Sequence, residues 1–256
     1  MAKFALIGNP IAHSKSPALF KAAYPGSHHT YTLLEAPTCR EAMERFTQEG
    51  YTGCNVTSPF KDEVMQYVSL PDKISSTLGS ANTIISKEGR LYSYNTDYYG
   101  VKETLADFLK KGECSLDGST PTALVIGAGG AGKAAALAVC DMGMKVFLAN
   151  RSSDAAAPYA ARIGAEYIPL ERIPLVLPQT GIIIYNLSME IPQLKNADLA
   201  GKVVFEANYA HPNLASSNAS CYINGRYWLY NQAIPAYRLF TGQEPCTSAM
   251  RQVTGV

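Results

Sequence analysis

Short apolar runs alternate with longer amphipathic stretches along most of the chain. This alternation is typical of α/β proteins, because a central strand buries a whole run of side chains whereas a helix buries one face. In the first half the pattern predicts these elements: strands over 4–7, 29–34 and 51–56, helices over 17–23, 38–48 and 60–68, and a hairpin of 82–87 and 90–95. A further helix is predicted from Asp97 to Lys110, followed by a loop over 114–121.

The second half begins at Thr122 with a buried strand that leads directly into glycines. The elements predicted after it are a helix over 130–142, a strand over 145–149, a helix over 154–163, and strands near 182–186 and 202–205. This order predicts an open parallel α/β unit. Two helices, over 232–240 and 247–253, follow after the sheet has ended, and they could return to pack on the first half.

Charge and composition restrict the partners of such a protein. The chain has 256 residues, with 22 Lys and Arg against 21 Asp and Glu, and 47% of its residues are hydrophobic. Because cations are not in excess, we expect neither a nucleic-acid-binding face nor a polybasic membrane patch. The expected partners are small molecules or further copies of the chain, and the expected assembly is a monomer or a homodimer.

The six cysteines are scattered, with no C-x-x-C pair and no histidine spaced to complete a zinc site. We therefore predict free thiols in a reducing compartment and no metal. The apolar stretch at the N-terminus is stopped by Gly8-Asn9-Pro10 and is too short for a signal-peptide core. Later apolar windows are interrupted by charges or prolines, so a cytoplasmic location is the expectation.

A glycine-rich turn, Gly127-Ala128-Gly129-Gly130-Ala131-Gly132, follows the first strand of the second half and opens a helix. That context gives weight to a G-x-G-x-x-G pattern, since the first glycine permits the turn, the second admits a pyrophosphate and the third permits close packing of helix and strand. The helix N-terminus then attracts the phosphates. The alternative is a glycine-rich turn that binds nothing.

The residues after the next strand indicate which nucleotide is bound. NAD-specific units place an acid about 20 residues beyond the glycines for the ribose 2′-hydroxyl. Here the strand ends in Asn150-Arg151-Ser152, and no acid occurs before Asp154. An arginine can offer a planar fork to a 2′-phosphate, so we predict NADP, bound with the help of these three residues. The alternative is a surface arginine that binds no ligand. A methyltransferase is disfavoured because it would need an acid at this position for the ribose hydroxyls.

Three segments of the first half contain polar residues that core packing alone does not explain. They are Asn9 to Pro17 with its His13-Ser14-Lys15-Ser16-Pro17 end, Asn55-Val56-Thr57-Ser58-Pro59-Phe60-Lys61, and Tyr94-Asn95-Thr96-Asp97. Together with Gly79–Thr83 and the glycine turn, they resemble the shikimate dehydrogenase family in order and spacing from residue 6 to about residue 245. The segment ending in Lys61 is the most specific of these and the glycine turn the least.

The resemblance implies a discontinuous α/β substrate domain, with a Rossmann-like, doubly wound dinucleotide-binding domain inserted into it. The expected ranges are 1–97 and 229–256 for the substrate domain and 98–228 for the insertion. The active site is expected in the cleft between the two domains.

The activity that the resemblance implies is NADP-dependent reduction of 3-dehydroshikimate to shikimate, in chorismate and aromatic amino-acid biosynthesis. Reduction of a ketone requires a proton for the developing alkoxide, and Lys61 is the implied donor. Asp97 is its implied partner, since a carboxylate holds the ammonium in place and favours its charged form while desolvation opposes it. Judged alone, Lys61 is as easily explained as the first-turn lysine of a surface helix.

The resemblance also implies the residues that bind the ligands. Ser14 and Ser16 would hold the substrate carboxylate, although a serine before Pro17 is equally a good start for a helix. The ring hydroxyls would be bound by Thr57, Asn82, Asp97 and Gln232, and Tyr209 would reach toward substrate and nicotinamide. The cofactor set consists of Gly127, Ala128, Gly129, Gly130, Ala131, Asn150, Arg151, Ser152 and Gly225.

Several positions depart from the family's usual residues. Phe20 stands where a histidine is usual, Trp228 replaces a methionine near the nicotinamide end, and Glu206 takes the place of an aspartate. The segment from Tyr185 to Met189 is also altered, and Asp154 follows the predicted phosphate-binding arginine.

Two alternative functions stay open at this stage. A quinate or aminoshikimate dehydrogenase of the same superfamily would keep Lys61 and Asp97, although the retention of both Ser14 and Ser16 favours shikimate. A nucleotide-binding regulator without catalysis is disfavoured by the presence of both Lys61 and Asp97.

Overall fold

The computed structural model describes residues 1–114 and 121–256 of the chain. The described residues form two compact units, the first made of Met1–Thr96 and Gln232–Val256 and the second of Asp97–Asn231. The sequence predicts these boundaries at 97/98 and 228/229. Of the predicted loop 114–121, residues 115–120 lie outside the described part of the chain.

The strands and helices follow each other in the α/β order that the apolar pattern predicts. The strands are β1 Lys3–Gly8, β2 Thr30–Glu35, β3 Gly53–Val56, β4 Leu70–Pro71, β5 Thr83–Lys87, β6 Arg90–Tyr94, β7 Thr122–Ile126, β8 Lys145–Asn150, β9 Glu166–Pro169, β10 Ile182–Tyr185, β11 Val203–Glu206 and β12 Cys221–Asn224. The helices are α1 Ser16–Ala23, α2 Cys39–Gln48, α3 Lys73–Leu78, α4 Asp97–Lys110, α5 Gly130–Asp141, α6 Ala156–Ile163, α7 Ile173–Val176, α8 Pro192–Lys195, α9 Gly225–Thr241 and α10 Thr247–Thr254.

The first unit is built on a mixed sheet with the order β2-β1-β3-β5-β6-β4. Strand β1 pairs in parallel with both β2 and β3, and β5 then runs antiparallel to β3 and to β6. Because successive side chains of a strand point to opposite faces, Ala5 and Ile7 join the core packed against α2, while Phe4 joins a cluster of aromatic rings. Three parallel strand ends therefore meet near Gly8, where the predicted substrate residues begin.

The second unit is built on a sheet that is parallel throughout its described strands, with the order β12-β11-β10-β7-β8-β9. Strand β7 lies in the middle, the chain first adds strands on one side of it, and β10 then begins the other side. This is the order of a doubly wound dinucleotide-binding sheet, in which ligands bind beyond the carboxyl end of the central strand. The α/β class and the Rossmann-like second unit are thus confirmed.

Some elements differ from the sequence-based expectation. The helix predicted over 60–68 is only a 3-10 helix over Glu63–Tyr67. It ends because Ser69 donates its backbone N–H to Leu91 and the chain continues as β4 beside β6. Helix α9 begins at Gly225 and not at residue 232. The strands β4, β9 and β12 and the helices α3, α7 and α8 were not predicted.

The expectation that all six cysteines are free thiols is wrong. Cys114 and Cys221 form a disulfide with a Cα–Cα distance of 5.7 Å, whereas Cys39, Cys54, Cys140 and Cys246 are free. The two paired cysteines are separated by 107 residues, and the fold brings the end of α4 next to β12. Spacing along the chain carries no signal for such a pair. Among the described residues, no helix is long and apolar enough to span a membrane.

Candidate functional site

The turn between β1 and α1 presents the two serines predicted to bind a carboxylate. The Oγ of Ser14 donates to the Oγ of Ser16 at 3.1 Å, and it also accepts the backbone N–H of Ser16 at 3.2 Å. Helix α1 begins at Ser16, and its N-cap position is Lys15, whose side chain makes no capping hydrogen bond to the described residues. The two hydroxyls therefore lie side by side at a helix N-terminus, where an anion is stabilised.

This serine turn is held by three hydrogen bonds. Glu35, at the end of β2, accepts the backbone N–H of Ile11 at 2.9 Å, and the carbonyl of Ile11 accepts the N–H of Ser14. On the helix side, the hydroxyl of Tyr237 donates to the carbonyl of Ser16 at 3.3 Å. Burial raises the pKa of Tyr237 well above its usual range, so it stays a neutral donor. The turn is thus fixed before any ligand arrives.

The segment that carries Lys61 is tied to the same strand ends. Thr57 donates its backbone N–H to the carbonyl of Ile7 at 2.8 Å, and its methyl group packs so closely on Gly8 that a Cβ there would overlap it. At the other end of the segment, the carbonyl of Lys61 accepts the N–H of Ala81 at 2.9 Å. Lys61 is half-buried and lies in a turn before the 3-10 helix, not in the first turn of a surface helix.

Two predicted substrate residues, 150 positions apart, are in direct contact. The Nδ2 of Asn82 donates to the Oε1 of Gln232 at 3.2 Å. The hydroxyl of Thr96 donates to the same Oε1 at 3.1 Å, and its backbone N–H donates to the Oδ1 of Asn82 at 2.7 Å. Because Asn82 is 3% exposed, these bonds fix both amides in one orientation. Thr96 was not predicted as a site residue, although the polar segment Tyr94–Asp97 contains it.

Beneath Asn82 the polar network continues into the sheet. Asn55 donates through Nδ2 to the carbonyl of Asn82 and to the hydroxyl of Thr83, at 3.2 and 3.1 Å. Its Oδ1 accepts the hydroxyl of Tyr31 at 2.8 Å. Burial, followed by the nearby Tyr237, raises the pKa of Tyr31 well above its usual range, and an interaction with Ser16 opposes this. This buried network connects the serine turn with the amide pair, and the sequence offered no signal for it beyond the polar segments themselves.

Asp97 belongs to the second unit and is the first residue of α4. Its side chain is buried, with 6% exposed. The Oδ1 accepts the indole N–H of Trp228, in the first turn of α9, at 3.1 Å. A carboxylate at a helix N-terminus interacts favourably with the helix dipole.

The glycine turn has the shape that a pyrophosphate requires. Gly127 has φ +95°, and a Cβ on Gly132 would overlap the carbonyl of Gly127, so only glycine fits at both positions. A Cβ on Gly129 would meet nothing within 4 Å, and Gly129 is the N-cap of α5 without a side-chain cap from the described residues. The first amides of α5, at Gly130 and Ala131, have no acceptor within the helix, which fits a bound phosphate.

Asn150 connects this turn with the loop that carries the predicted cation. Its Oδ1 accepts the N–H of Ala128 at 3.2 Å, and its Nδ2 donates to the carbonyl of Ser152 at 3.0 Å. Arg151 and Ser152 are exposed beyond the end of β8. Asn186 also borders the turn, and its buried Oδ1 accepts no hydrogen bond from the described residues. An orphaned acceptor beside the turn and an exposed cation beyond it both fit an anionic dinucleotide with donor groups.

Tyr209 and Gly225 lie after the last two strands of the same sheet. Burial raises the pKa of the half-buried Tyr209, and the nearby Arg226 opposes this. A Cβ on Gly225 would overlap the carbonyl of Ala207, so α9 begins in contact with the loop that carries Tyr209. Glu206 holds this loop: its fully buried carboxylate accepts N–H groups of Asn213 and Leu214 and the hydroxyl of Tyr222.

Comparison with known proteins covers nearly the whole chain. The family model described as shikimate dehydrogenase substrate binding domain matches residues 6–84, and the model described as shikimate / quinate 5-dehydrogenase matches residues 110–207. A shikimate dehydrogenase (NADP(+)) of Natronomonas pharaonis is 33% identical, with 97% of this chain and 98% of the relative covered. The chain belongs to the shikimate dehydrogenase family.

Solved structures agree with this membership. Shikimate dehydrogenase from Aquifex aeolicus matches with a TM-score of 0.85 at 28% identity, covering 99% of this chain and 97% of that one. Shikimate 5-dehydrogenase from Thermus thermophilus, solved in complex with NADP(H) and shikimate, matches with a TM-score of 0.77 at 26% identity, covering 100% of this chain and 99% of that one. The family resemblance noted from the sequence is confirmed.

Two departures from the usual residues of the shikimate dehydrogenase family have local explanations. Phe20 packs among aromatic rings, with ring centroids 5.4 Å from Phe4, 5.0 Å from Tyr31 and 5.1 Å from Tyr237, so an apolar ring suits the position. Glu206 has the reach to collect its loop donors while remaining fully buried.

The predicted site residues of this shikimate dehydrogenase family member fall into two sets. Ser14, Ser16, Thr57, Lys61, Asn82 and Gln232 belong to the first unit. Asp97, Tyr209, Gly225, the glycine turn and Asn150–Ser152 belong to the second. Within each unit the residues meet as described above, and the catalytic pairing of Lys61 with Asp97 stays a prediction.

Proposed function

We propose that the protein is an NADP-dependent shikimate dehydrogenase that reduces 3-dehydroshikimate to shikimate in aromatic amino-acid biosynthesis. The observation that carries this proposal is the match along the whole chain, 33% identity with 97% coverage, to a relative named shikimate dehydrogenase (NADP(+)). The local geometry of both units supports it, because one presents hydroxyls and amides and the other a phosphate-binding turn.

Substrate binding is assigned to the first unit. The paired hydroxyls of Ser14 and Ser16 bind the carboxylate, and the amides of Asn82 and Gln232, together with Thr57, bind ring hydroxyls. The mutual hydrogen bond of Asn82 and Gln232 supports this role, since it orients both amides in advance. Such a polar site rejects an analogue without a hydroxyl because a buried donor or acceptor would then be unpaired.

Proton transfer is assigned to Lys61, assisted by Asp97. When bound, NADPH supplies the hydride to the carbonyl carbon of the substrate. The ammonium of Lys61 gives its proton to the oxygen that becomes a hydroxyl, and it takes the proton back in the oxidation direction. Asp97 is assigned to the same reaction, as the group that contacts the reacting substrate hydroxyl. Tyr209 borders the substrate and the nicotinamide.

Cofactor binding is assigned to the second unit. The amides of the glycine turn and of the first turn of α5 bind the pyrophosphate, and Arg151 binds the 2′-phosphate, with Asn150 and Ser152 beside it. Arg151 is exposed, and no acid lies between the end of β8 and Asp154, which supports NADP over NAD.

We expect Arg151→Ala to weaken binding of NADPH about tenfold to hundredfold and to leave binding of NADH unchanged, as measured by fluorescence titration. Arg172→Ala, an exposed arginine of the same unit, is the matched control.

The decisive experiment is a matrix of oxidation rates with shikimate and quinate, each under NADP and NAD. We expect the largest kcat/KM for shikimate with NADP. Turnover of quinate alone would replace the proposal by the quinate dehydrogenase alternative, and binding of NADP without turnover of either substrate would favour a regulator. The retained pair Ser14 and Ser16 is the feature that favours shikimate.

The proposed location is the cytoplasm, and the proposed assembly is a monomer or a homodimer. The four free cysteines support a reducing compartment, whereas the disulfide between Cys114 and Cys221 argues against one. Sedimentation of the purified chain tests the assembly.

A further inference from the structure

Trp228 donates its indole N–H to the carboxylate predicted to assist catalysis. The Nε1 of Trp228 lies 3.1 Å from the Oδ1 of Asp97, across 131 residues of sequence, and both side chains are buried within the second unit, with 5% and 6% exposed. An indole N–H is a donor only, so its place beside a carboxylate oxygen is a directed contact.

The indole is held by packing, so the donor is preorganised. Its ring lies against Phe205 at the end of β11, with the centroids 5.5 Å apart and the planes inclined by 52°. The neighbouring residues fix the first turns of α9 along α4: the ring of Tyr227 meets Phe108 edge-on at 4.8 Å, and Asn231 donates to the hydroxyl of Thr104 at 2.9 Å. Because the indole cannot turn without losing its contact with Phe205, its N–H remains directed at Asp97.

A fixed donor on one oxygen limits the rotation of a carboxylate. The indole N–H carries no charge and does not titrate in the working pH range, so it orients Asp97 without competing for the proton that is transferred. Positioning of a group that acts in the transition state affects kcat more than substrate binding, since small displacements of a catalytic group lower the rate.

We propose that Trp228 is a positioning residue for Asp97, which it orients through the indole N–H for its catalytic role. This inference rests on the proposed function, because it presupposes that Asp97 assists the reduction. It adds a residue that acts through Asp97 and need not touch the substrate itself.

The first test compares Trp228→Phe, which keeps an aromatic ring against Phe205 and removes the N–H, with the wild type. We expect kcat to fall about tenfold to hundredfold, the effect of losing a hydrogen bond to a charged group, while the KM for shikimate and the Kd for NADPH stay within about twofold. Thr180→Val is the matched control, since it removes a buried hydrogen bond of the same unit, from the hydroxyl of Thr180 to the carbonyl of Val176 at 2.9 Å, that has no part in orienting Trp228. It should lower Tm and leave kcat unchanged.

A double-mutant cycle ties the effect to the carboxylate. In an Asp97→Asn background, Trp228→Phe should cause no further loss of kcat, because the group that it positions no longer acts. An equal loss in both backgrounds would show a merely structural role and overturn the inference, as would a Trp228→Phe enzyme with wild-type kcat. If the wild type turns over neither shikimate nor 3-dehydroshikimate, the proposed function fails first, and that result is distinct from failure of the positioning role.

A spectroscopic measurement keeps the inference testable even if the variants of Trp228 fold poorly. The chain has a single tryptophan, so the indole N–H gives one cross-peak in a proton–nitrogen spectrum, which needs no assignment. In the wild type this proton should be shifted downfield and protected from exchange by its carboxylate partner, and Asp97→Asn should move it upfield. An unchanged signal in Asp97→Asn would overturn the proposed contact.

Discussion

At the residue scale, the role assigned to Lys61 makes the most direct prediction. Lys61→Ala should lower kcat by about 10²–10⁴ with little change in Tm, because the residue lies half-buried in a turn and its only assigned chemistry is proton transfer. Steady-state rates in the reduction direction measure the effect. Lys21→Ala, an exposed lysine in the last turn of α1, is the control and should be indistinguishable from wild type.

A Lys61→Ala enzyme that retains kcat within a few-fold of wild type would remove the proton-transfer role. The hydride step would then need a different donor. Loss of activity together with a large fall in Tm would instead show that Lys61 stabilises the segment that leads into the 3-10 helix.

The sequence proposes candidate site residues where a motif carries them, but it does not reveal the contacts that the fold creates. Ser14, Ser16, Lys61 and Asn82 lie in polar segments that a core would not select, and the segments were visible in the sequence. The partners of these residues were not: Thr96 joins the pair Asn82 and Gln232 only because β5, β6 and α9 meet, and a tryptophan bound to Asp97 is separated from it by 131 residues. A one-dimensional pattern carries no information on such contacts.

At the scale of elements, the glycine turn separates two requirements that the G-x-G-x-x-G pattern combines. Gly132→Ala should prevent correct folding of the turn, since its Cβ would overlap the carbonyl of Gly127. Gly129→Ala has room and an ordinary backbone conformation, φ −72°, so it should fold with a Tm close to wild type. We expect it to bind NADPH more weakly all the same, because the added methyl group occupies the space proposed for the pyrophosphate.

Differential scanning calorimetry and NADPH titration of the two variants measure this contrast. Wild-type cofactor affinity in Gly129→Ala would contradict the placement of the pyrophosphate over the start of α5. A stable Gly132→Ala variant would contradict the close packing of α5 on β7.

The loop after β11 supplies a second prediction at this scale. Glu206→Gln should lower the free energy of unfolding by about 3 kcal/mol, since the carboxylate is fully buried and an amide would turn its NH₂ toward a donor. Tyr209 lies in the loop that Glu206 holds, so kcat/KM should fall as well. Urea unfolding measures the first effect and shikimate kinetics the second.

The control for this change is Glu166→Gln, on the exposed part of β9 in the same unit. It should leave stability and kinetics within error. If Glu206→Gln is destabilised but has unchanged kinetics, Glu206 stabilises the sheet without positioning Tyr209.

Elements with strong apolar periodicity were predicted, and those defined by pairing were not. Strands β7, β8, β10 and β11 are continuous apolar runs, as expected for a parallel sheet covered on both faces. In contrast, β12 reads Cys-Tyr-Ile-Asn with a single buried residue, and β4 has two residues that extend only because they pair with β6. Tertiary pairing, which the local sequence does not encode, decides these edges.

At the scale of the whole molecule, an almost neutral chain is proposed to bind two anionic ligands, and each proposed anion site lies at the end of a strand or a helix. The formal net charge is +1. The glycine turn, the serine turn and Arg151 nevertheless each lie at the end of a strand or helix. Partial charges at helix N-termini and single side chains supply the attraction locally, so no basic face is needed. A net charge near zero therefore argues against a polyanion-binding surface but not against single anion sites.

The disulfide is the feature of the whole chain that the sequence-based expectation missed, and it gives the last prediction. Cys114 and Cys221 should be unreactive in the unreduced, denatured protein, so a thiol-reactive dye should count four cysteines before reduction and six after it.

Because the bond closes a loop across 107 residues, Cys221→Ser should lower the free energy of unfolding by about 4–5 kcal/mol in the chain-entropy account, with a corresponding fall in Tm. The matched control is Cys140→Ser, which removes a free thiol of the same unit. Reduction should still expose two further thiols in this variant, and most of the stability should remain. Six reactive thiols without reductant would show that the bond does not form in the isolated protein, and the edge strand β12 would then depend on its pairing with β11 alone.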